Sequence, residues 1–148
     1  MKPLIDNKKV RFNYEVLEEL EAGISLLGHE VKAIKAGKGS LLGAYVIVRG
    51  NEAFLVEADI SPYQANNVPE NYDQRRPRKL LLHKKELASL VGFEKEKGLT
   101  LIPLSLYNKG RKIKVAIGVA RGKKKHDKRE TIKKRDTDRD IRRTLKNS

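Results

Sequence analysis

Three kinds of side chain in this sequence could do chemistry, and each falls short of a working set. The histidines His29, His83 and His126 are scattered, and none sits in the His-Glu-x-x-His spacing that turns two imidazoles toward one metal. His83 with Glu86 three residues on is the pattern of a helix start rather than of a ligand pair. The acidic cluster Glu15, Glu18, Glu19 and Glu21 could hold a magnesium ion for nuclease work. A solvated strand face, or a mate for a lysine-rich surface, accounts for it better. Cysteine is absent, which removes thiolate nucleophiles and every cysteine-ligated zinc site, and fits a reducing compartment. The glycine cluster Gly37-Lys38-Gly39-Ser40 lacks the spacing of a phosphate-cradling loop. The sequence predicts no catalytic residue, no metal and no cofactor.

The chemistry that remains is cationic. The chain of 148 residues carries 33 Lys and Arg against 19 Asp and Glu, a net charge of +14. The excess is uneven: Arg121–Ser148 holds 13 basic and 5 acidic side chains, against 20 and 14 in the first 120 residues. A charge serving solubility alone would be spread evenly. A concentrated positive field attracts polyanions and speeds their encounter, and RNA is the commonest such partner in the cytosol. No apolar run approaches the roughly 20 residues that cross a bilayer. The short apolar stretch at Leu4-Ile5 does not make a signal peptide. A cytoplasmic protein with no membrane partner is expected.

The elements that must position these charges are mainly β. In Arg111–Val119, Ile113, Val115, Ile117 and Val119 share one face and Lys112 and Lys114 the other, the period-2 pattern of a half-buried strand. Leu99–Tyr107 alternates too, but its apolar face changes parity at Pro103, which one extra residue in a bulge would repair. Asn108-Lys109-Gly110 is the expected hairpin turn between them. Ala44–Arg49 and Glu52–Asp59 form a second hairpin about Gly50-Asn51, with Tyr45–Val48 expected to be covered on both sides. Leu27, Val31 and Ile34 predict a helix ending near Gly37, and Leu87, Leu90 and Val91 a second within Lys84–Lys97, closed by Gly98. In Tyr14–Leu26 strand and helix periods compete. Pro62–Pro77 reads as a long exposed loop.

From Lys123 to Ser148 the only aliphatic side chains are Ile132, Ile141 and Leu145. They cannot offset an ordering cost of about 1–2 kcal/mol per residue. Two parts follow: a body over residues 1–122 and a basic tail over 123–148, disordered when free and helical against an anionic partner. Standard RNA modules are missing. There is no aromatic recognition-motif string and no Gly-x-x-Gly clamp, and 3 Phe and 5 Tyr argue against a broad stacking platform while leaving room for one or two stacking contacts. Folded RNA, read by shape and phosphates, fits best.

Six strings of residues, in order, narrow this further. They are Asn7-Lys8-Lys9 with Tyr14 and Glu21–Leu26; Gly28–Lys32; Ala36-Gly37-Lys38; Arg78–Lys84; Pro103–Tyr107; and Ala120–Lys124 running into His126–Arg129. Together they resemble the SsrA-binding proteins, also called small protein B, the bacterial partners of transfer-messenger RNA. The resemblance spans Asn7 to about Leu145. It implies an oligonucleotide-binding-like antiparallel β-barrel with flanking helices, an α+β chain that is mainly β, and makes Tyr14–Leu26 mainly strand. It also implies binding to the tRNA-like domain of transfer-messenger RNA and its delivery to stalled ribosomes for trans-translation. Departures are Ala33 where serine is usual, His29 for threonine or tryptophan, Asn108 for a second aromatic, and a weak apolar pair near Leu145.

Residue by residue, Asn7 and Glu21 match positions on the RNA-binding face, with Lys8, Arg11, Tyr14, Lys32 and Lys35 placed alongside. Glu21 would accept hydrogen bonds from bases or orient a nearby lysine. Lys123, Lys124, His126, Asp127, Lys128 and Arg129 match the tail motif that enters the decoding centre. Lys133, Lys134, Arg135 and Leu145 follow along the message channel of the small subunit. A second reading is a structural ribosomal protein whose tail threads through rRNA; a third is a nuclease built on Glu15–Glu21.

Overall fold

A computed structural model describes residues 3–63 and 68–123. Among the described residues nine strands and three helices follow one another: β1 (Ile5–Asp6), α1 (Val10–Asn13), β2 (Tyr14–Ile24), α2 (Gly28–Lys35), β3 (Gly39–Ser40), β4 (Tyr45–Arg49), β5 (Glu52–Val56), β6 (Asp59–Ile60), β7 (Arg78–Leu81), α3 (Lys84–Lys95), β8 (Leu99–Lys109) and β9 (Lys112–Gly122). Seven strands make one antiparallel sheet in the order β1-β8-β9-β2-β7-β5-β4. It curls until β4 lies against β8, which gives the expected barrel, while β3 and β6 pair separately. The core fills its interior, with Ile113, Val115, Ile117 and Val119 of β9 pointing in beside Leu55, Leu80 and Leu106.

Both long partners of β9 contain a bulge. Pro103 pairs with Ile117 and Ser105 with Ala116, so Leu104 is the extra residue that corrects the parity change. Val16 pairs with Ala120 and Glu18 with Val119, so Leu17 is extra on β2. The β8–β9 turn is later and tighter than expected. Asn108 and Lys109 pair with Ile113 and Lys112, leaving only Gly110 and Arg111 in the loop. Gly110 has φ +63°, the left-handed conformation that a two-residue hairpin requires at its first position.

The second hairpin also differs from expectation. Strand β5 stops at Val56 because Glu57 adopts φ +62° and turns the chain, so Asp59 and Ile60 pair with β3 instead. Strand β4 is not covered on both sides: it ends the sheet, and Tyr45 is 42% exposed. Its free edge is blunted by α3, whose Glu94 accepts the Val48 N–H and bonds Arg49 at 3.0 Å.

Helices α2 and α3 stop shortly before glycines. At the end of α2 the N–H groups of Gly37 (φ +73°) and Lys38 donate to Ile34 and Ala33, satisfying the last carbonyls. Leu27 caps this helix from outside, exposed, rather than joining its buried face. The His83 N–H donates to Glu86 at 3.1 Å, opening α3, which ends at Lys95 before Gly98.

The stretch before Pro77 is exposed at most of its described residues, as expected, while its half-buried Tyr72 and Arg76 close over a charge. Glu30 of α2 is fully buried. It accepts from the Leu27 N–H at 2.8 Å, from Arg78 at 2.6 and 3.0 Å, from the Tyr72 hydroxyl at 2.8 Å and from Arg76. Burial pushes its carboxyl up, but these donors outweigh burial and hold it at about 2. Arg78, also fully buried, spends its remaining donors on the carbonyls of Ala58, Arg76 and Gln74. Burial and the bond to Glu30 push the Tyr72 hydroxyl up to about 12.

Candidate nucleic-acid interface

Strands β2, β8 and β9 form a three-stranded wall whose inner residues belong to the core. The register then fixes what its outer face carries. On β9 this is Lys112, Lys114, Ala116, Gly118 and Ala120; on β8 it is Ser105, Tyr107 and Lys109, opposite Ala116, Lys114 and Lys112. On β2 the bulge at Leu17 switches the facing, so Tyr14 and Val16 share the outer side with Glu19 and Glu21. Without that extra residue Glu21 and Tyr14 would lie on opposite faces.

At one end of this wall Glu21 is the hub. Its carboxylate accepts from the Tyr107 hydroxyl and from Lys109 Nζ at 2.9 Å. The Tyr107 hydrogen bond, then that from Lys109, holds the Glu21 carboxyl below its ordinary range. Burial and the same bond push the Tyr107 hydroxyl well above its own. Glu21 therefore stays ionised and fixes Lys109, the lysine-orienting role considered for it. Beside the hub lies a depression of about 440 Å³ lined by Gly23, Ile24, Val31, Leu81, Arg111 and Lys114, among others. Leu81 on its wall is 54% exposed. Three cations, Arg111, Lys112 and Lys114, thus line the depression beside Ile24, Val31 and Leu81, and Lys109 pairs with Lys112 next to it at the β8–β9 turn. Such a surface neutralises phosphates and packs against sugar or base edges. Among the described residues no group of three or more His, Cys, Asp or Glu is placed to hold a metal ion.

The other expected residues fall in two places. Lys32 and Lys35 are exposed on α2, and Lys35 lies four residues on from Val31, on the helix face that reaches the depression. Tyr14 lies at the far end of the wall, seven residues or roughly 20 Å along the strand from Glu21, whereas Asn7, Lys8 and Arg11 lie across its middle beside Glu19, Ser105 and Ala116. There Asn7 is a staple: its side-chain amide donates to the carbonyls of Pro103 at 2.9 Å and Leu41 at 3.4 Å. Lys8 is exposed, Arg11 pairs with Glu19 at 3.3 Å, and Tyr14 packs half-buried against Val10, Ile102 and Leu104. Lys123 donates its N–H to Asn13 and its ammonium to the Arg11 carbonyl, both at 2.9 Å. Lys124, His126, Asp127, Lys128, Arg129, Lys133, Lys134, Arg135 and Leu145 lie outside the described residues.

Lys109, Arg111, Lys114 and Leu81 were not singled out from sequence. The alternation of Lys112 and Lys114 against inward Ile and Val carried the signal for the lysines. Nothing local announced that Leu81 and Gly23, two residues from Glu21, would line one hollow, because the β2–β7 pairing joins residues almost 60 apart.

Comparison with known proteins bears on this surface. A family model described as SmpB protein matches residues 4–147. An SsrA-binding protein of Microcystis aeruginosa is 51% identical over 146 residues, covering 99% of this chain and 95% of the relative. One of Gloeothece citriformis is 52% identical over 145 residues, covering 98% and 94%. A solved structure described as "tmRNA-SmpB: a journey to the center of the bacterial ribosome" superposes with a TM-score of 0.69 at 44% identity, covering 86% of this chain and 92% of that one.

Proposed function

The chain belongs to the SmpB protein family, and on that premise we propose that it binds transfer-messenger RNA and acts with it on the ribosome in trans-translation. The observation that supports this most is the cationic β8–β9 turn, where Glu21 fixes Lys109 next to a hollow lined by Arg111, Lys112, Lys114 and Leu81. That surface suits a folded RNA whose backbone and looped bases come together at a corner, as in the tRNA-like domain. Lys109, Arg111, Lys112 and Lys114 meet phosphates, Leu81 and Ile24 offer apolar contact, and Lys32 and Lys35 extend the positive field along α2. The basic stretch from Lys123 onward takes the second role, contact with small-subunit rRNA at the decoding centre and along the message channel, in the cytoplasm. The chain is a binding protein, with no reaction assigned to it.

Two separable parts follow, body 1–122 and tail 123–148, and one experiment tests them. A chain ending at Gly122 should keep its affinity for transfer-messenger RNA within about threefold and lose peptide tagging on ribosomes stalled at truncated messages. Full tagging by the shortened chain would refute the role given to the tail.

A further inference from the structure

Along the outer face of the β2–β9–β8 wall the balance of charge changes. The depression at the β8–β9 turn is lined by Arg111, Lys112 and Lys114 and, among the described residues, by no carboxylate. A smaller one, of about 140 Å³, lies in the middle of the wall, where Asp6, Lys8, Arg11 and Glu19 stand around Ser105 and Ala116. There two cations meet two carboxylates. A surface that served only to attract polyanions would keep its cations free along its whole length. This one leaves them free at one end and compensates them in the middle.

The compensation depends on a specific piece of backbone. Arg11 bonds the Glu19 carboxylate at 3.3 Å. The bulge at Leu17 turns Glu19 to the outer side of β2, and α1 brings Arg11 there because its Val10 packs on the same side against Tyr14, Val16 and Ala120. The two side chains are 67% and 55% exposed, so the pair adds little to stability. Its consequence is for binding. A guanidinium engaged by a carboxylate is not offered to a phosphate, and a phosphate that approaches it is repelled by the glutamate.

RNA held by charge alone collects phosphate contacts wherever a cation lies free, and it slides over the surface to find them. RNA recognised by its shape is held at fixed contacts. Engaging a cation in the middle of the wall therefore weakens the first kind of binding more than the second. We propose that Glu19 is a specificity-determining residue, which holds Arg11 away from phosphates and so confines RNA to the β8–β9 turn. Discrimination then comes from a repulsive element and not from an added contact. This rests on the reading of the chain as a transfer-messenger RNA partner. It takes Arg11 out of the set of RNA contacts expected from sequence.

The test compares the full chain's affinity for transfer-messenger RNA and for an unrelated folded RNA of equal length, at low ionic strength, where exposed charges are least screened. Glu19→Gln should bind the unrelated RNA about fivefold more tightly, the upper worth of an exposed ion pair, and transfer-messenger RNA within about twofold of wild type. The log–log salt dependence for the unrelated RNA should steepen by about 0.7–0.9, one added phosphate contact. Combining Arg11→Ala with Glu19→Gln should return unrelated-RNA affinity to within about twofold of wild type. Glu18→Gln removes the same charge from the neighbouring exposed position without releasing Arg11, and should shift neither affinity by more than about twofold. An equal gain for both RNAs, a gain that survives in the double variant, or the same gain from Glu18→Gln would each overturn the assignment. So would a gain below about twofold for Glu19→Gln on the unrelated RNA. A wild-type chain with no preference for transfer-messenger RNA would instead overturn the underlying functional reading.

Discussion

Replacing Glu30 by glutamine keeps the size and shape of the side chain but removes the charge around which α2, Tyr72, Arg76 and Arg78 are assembled. Arg78 is fully buried and would lose its counter-ion while keeping its own charge. Breaking one side of a buried pair in this way destabilises by about 3–5 kcal/mol. A second route gives a similar figure: holding the carboxyl at about 2 instead of its ordinary 4.5 is worth about 3 kcal/mol at neutral pH. Against a total stability of about 5–15 kcal/mol this is a large fraction. The sign of the pH dependence follows. A depressed carboxylate contributes fully above about 4.5, and the contribution is lost as pH falls toward about 2. Urea unfolding of wild type and Glu30→Gln should therefore differ by about 3–5 kcal/mol at pH 7. The gap should shrink steadily between pH 4.5 and 2, while all other carboxylates titrate equally in both. A gap below about 1 kcal/mol at pH 7, or one that ignores pH, would refute the reasoning.

Other outcomes follow from the same geometry. Replacing Lys109 and Lys114 together by alanine should make the log–log salt dependence of transfer-messenger RNA binding shallower by about 1.5, near 0.7–0.9 for each phosphate contact, measured by filter binding from low to high salt. Gly39→Ala would place a Cβ 2.9 Å from both the Asp59 carbonyl and the Ile5 side chain, where β3 meets β6. It should lower stability by about 1–3 kcal/mol, seen as a lower thermal midpoint with RNA contacts unaltered at the Glu21 end.

Much of the barrel was written in local alternation. The inward Ile113, Val115, Ile117 and Val119 are a clean period of two, and the parity change at Pro103 located a bulge before any partner strand was known. Gly37 and Gly98 marked helix ends because only glycine takes φ near +70 to +80° there without strain. The confusion in Tyr14–Leu26 had a physical cause. Leu17, the extra residue of the bulge, sits beside Val16 and three before Leu20, imitating a helical stripe. The resemblance resolved that segment; periodicity did not. Hidden from sequence were features made by long-range pairing. Glu30 meets Arg76 and Arg78 across 46 and 48 positions, and Tyr107 and Lys109 meet Glu21 across 86 and 88. The loop before Pro77 is exposed as its prolines and few core residues suggest, and only the buried carboxylate that Tyr72 and Arg76 serve explains their half-buried place in it.

The turn between β8 and β9 shows how a small error in register matters for the site. Placing the turn at Asn108-Lys109-Gly110 would send Lys109 into the loop. Pairing Lys109 with Lys112 instead keeps it on the outer face, within reach of Glu21. The register was set by Gly110 alone taking the left-handed position, with Arg111 completing the two-residue loop.

The most direct measurement is competition binding of the purified full chain between transfer-messenger RNA and an unrelated folded RNA of equal length, at physiological salt. A preference of at least about tenfold, or 1.4 kcal/mol, for transfer-messenger RNA is predicted, falling sharply when Lys109 and Lys114 are removed. Equal affinity for the two RNAs would mean that the barrel attracts polyanions by charge alone, and the proposed function would be wrong.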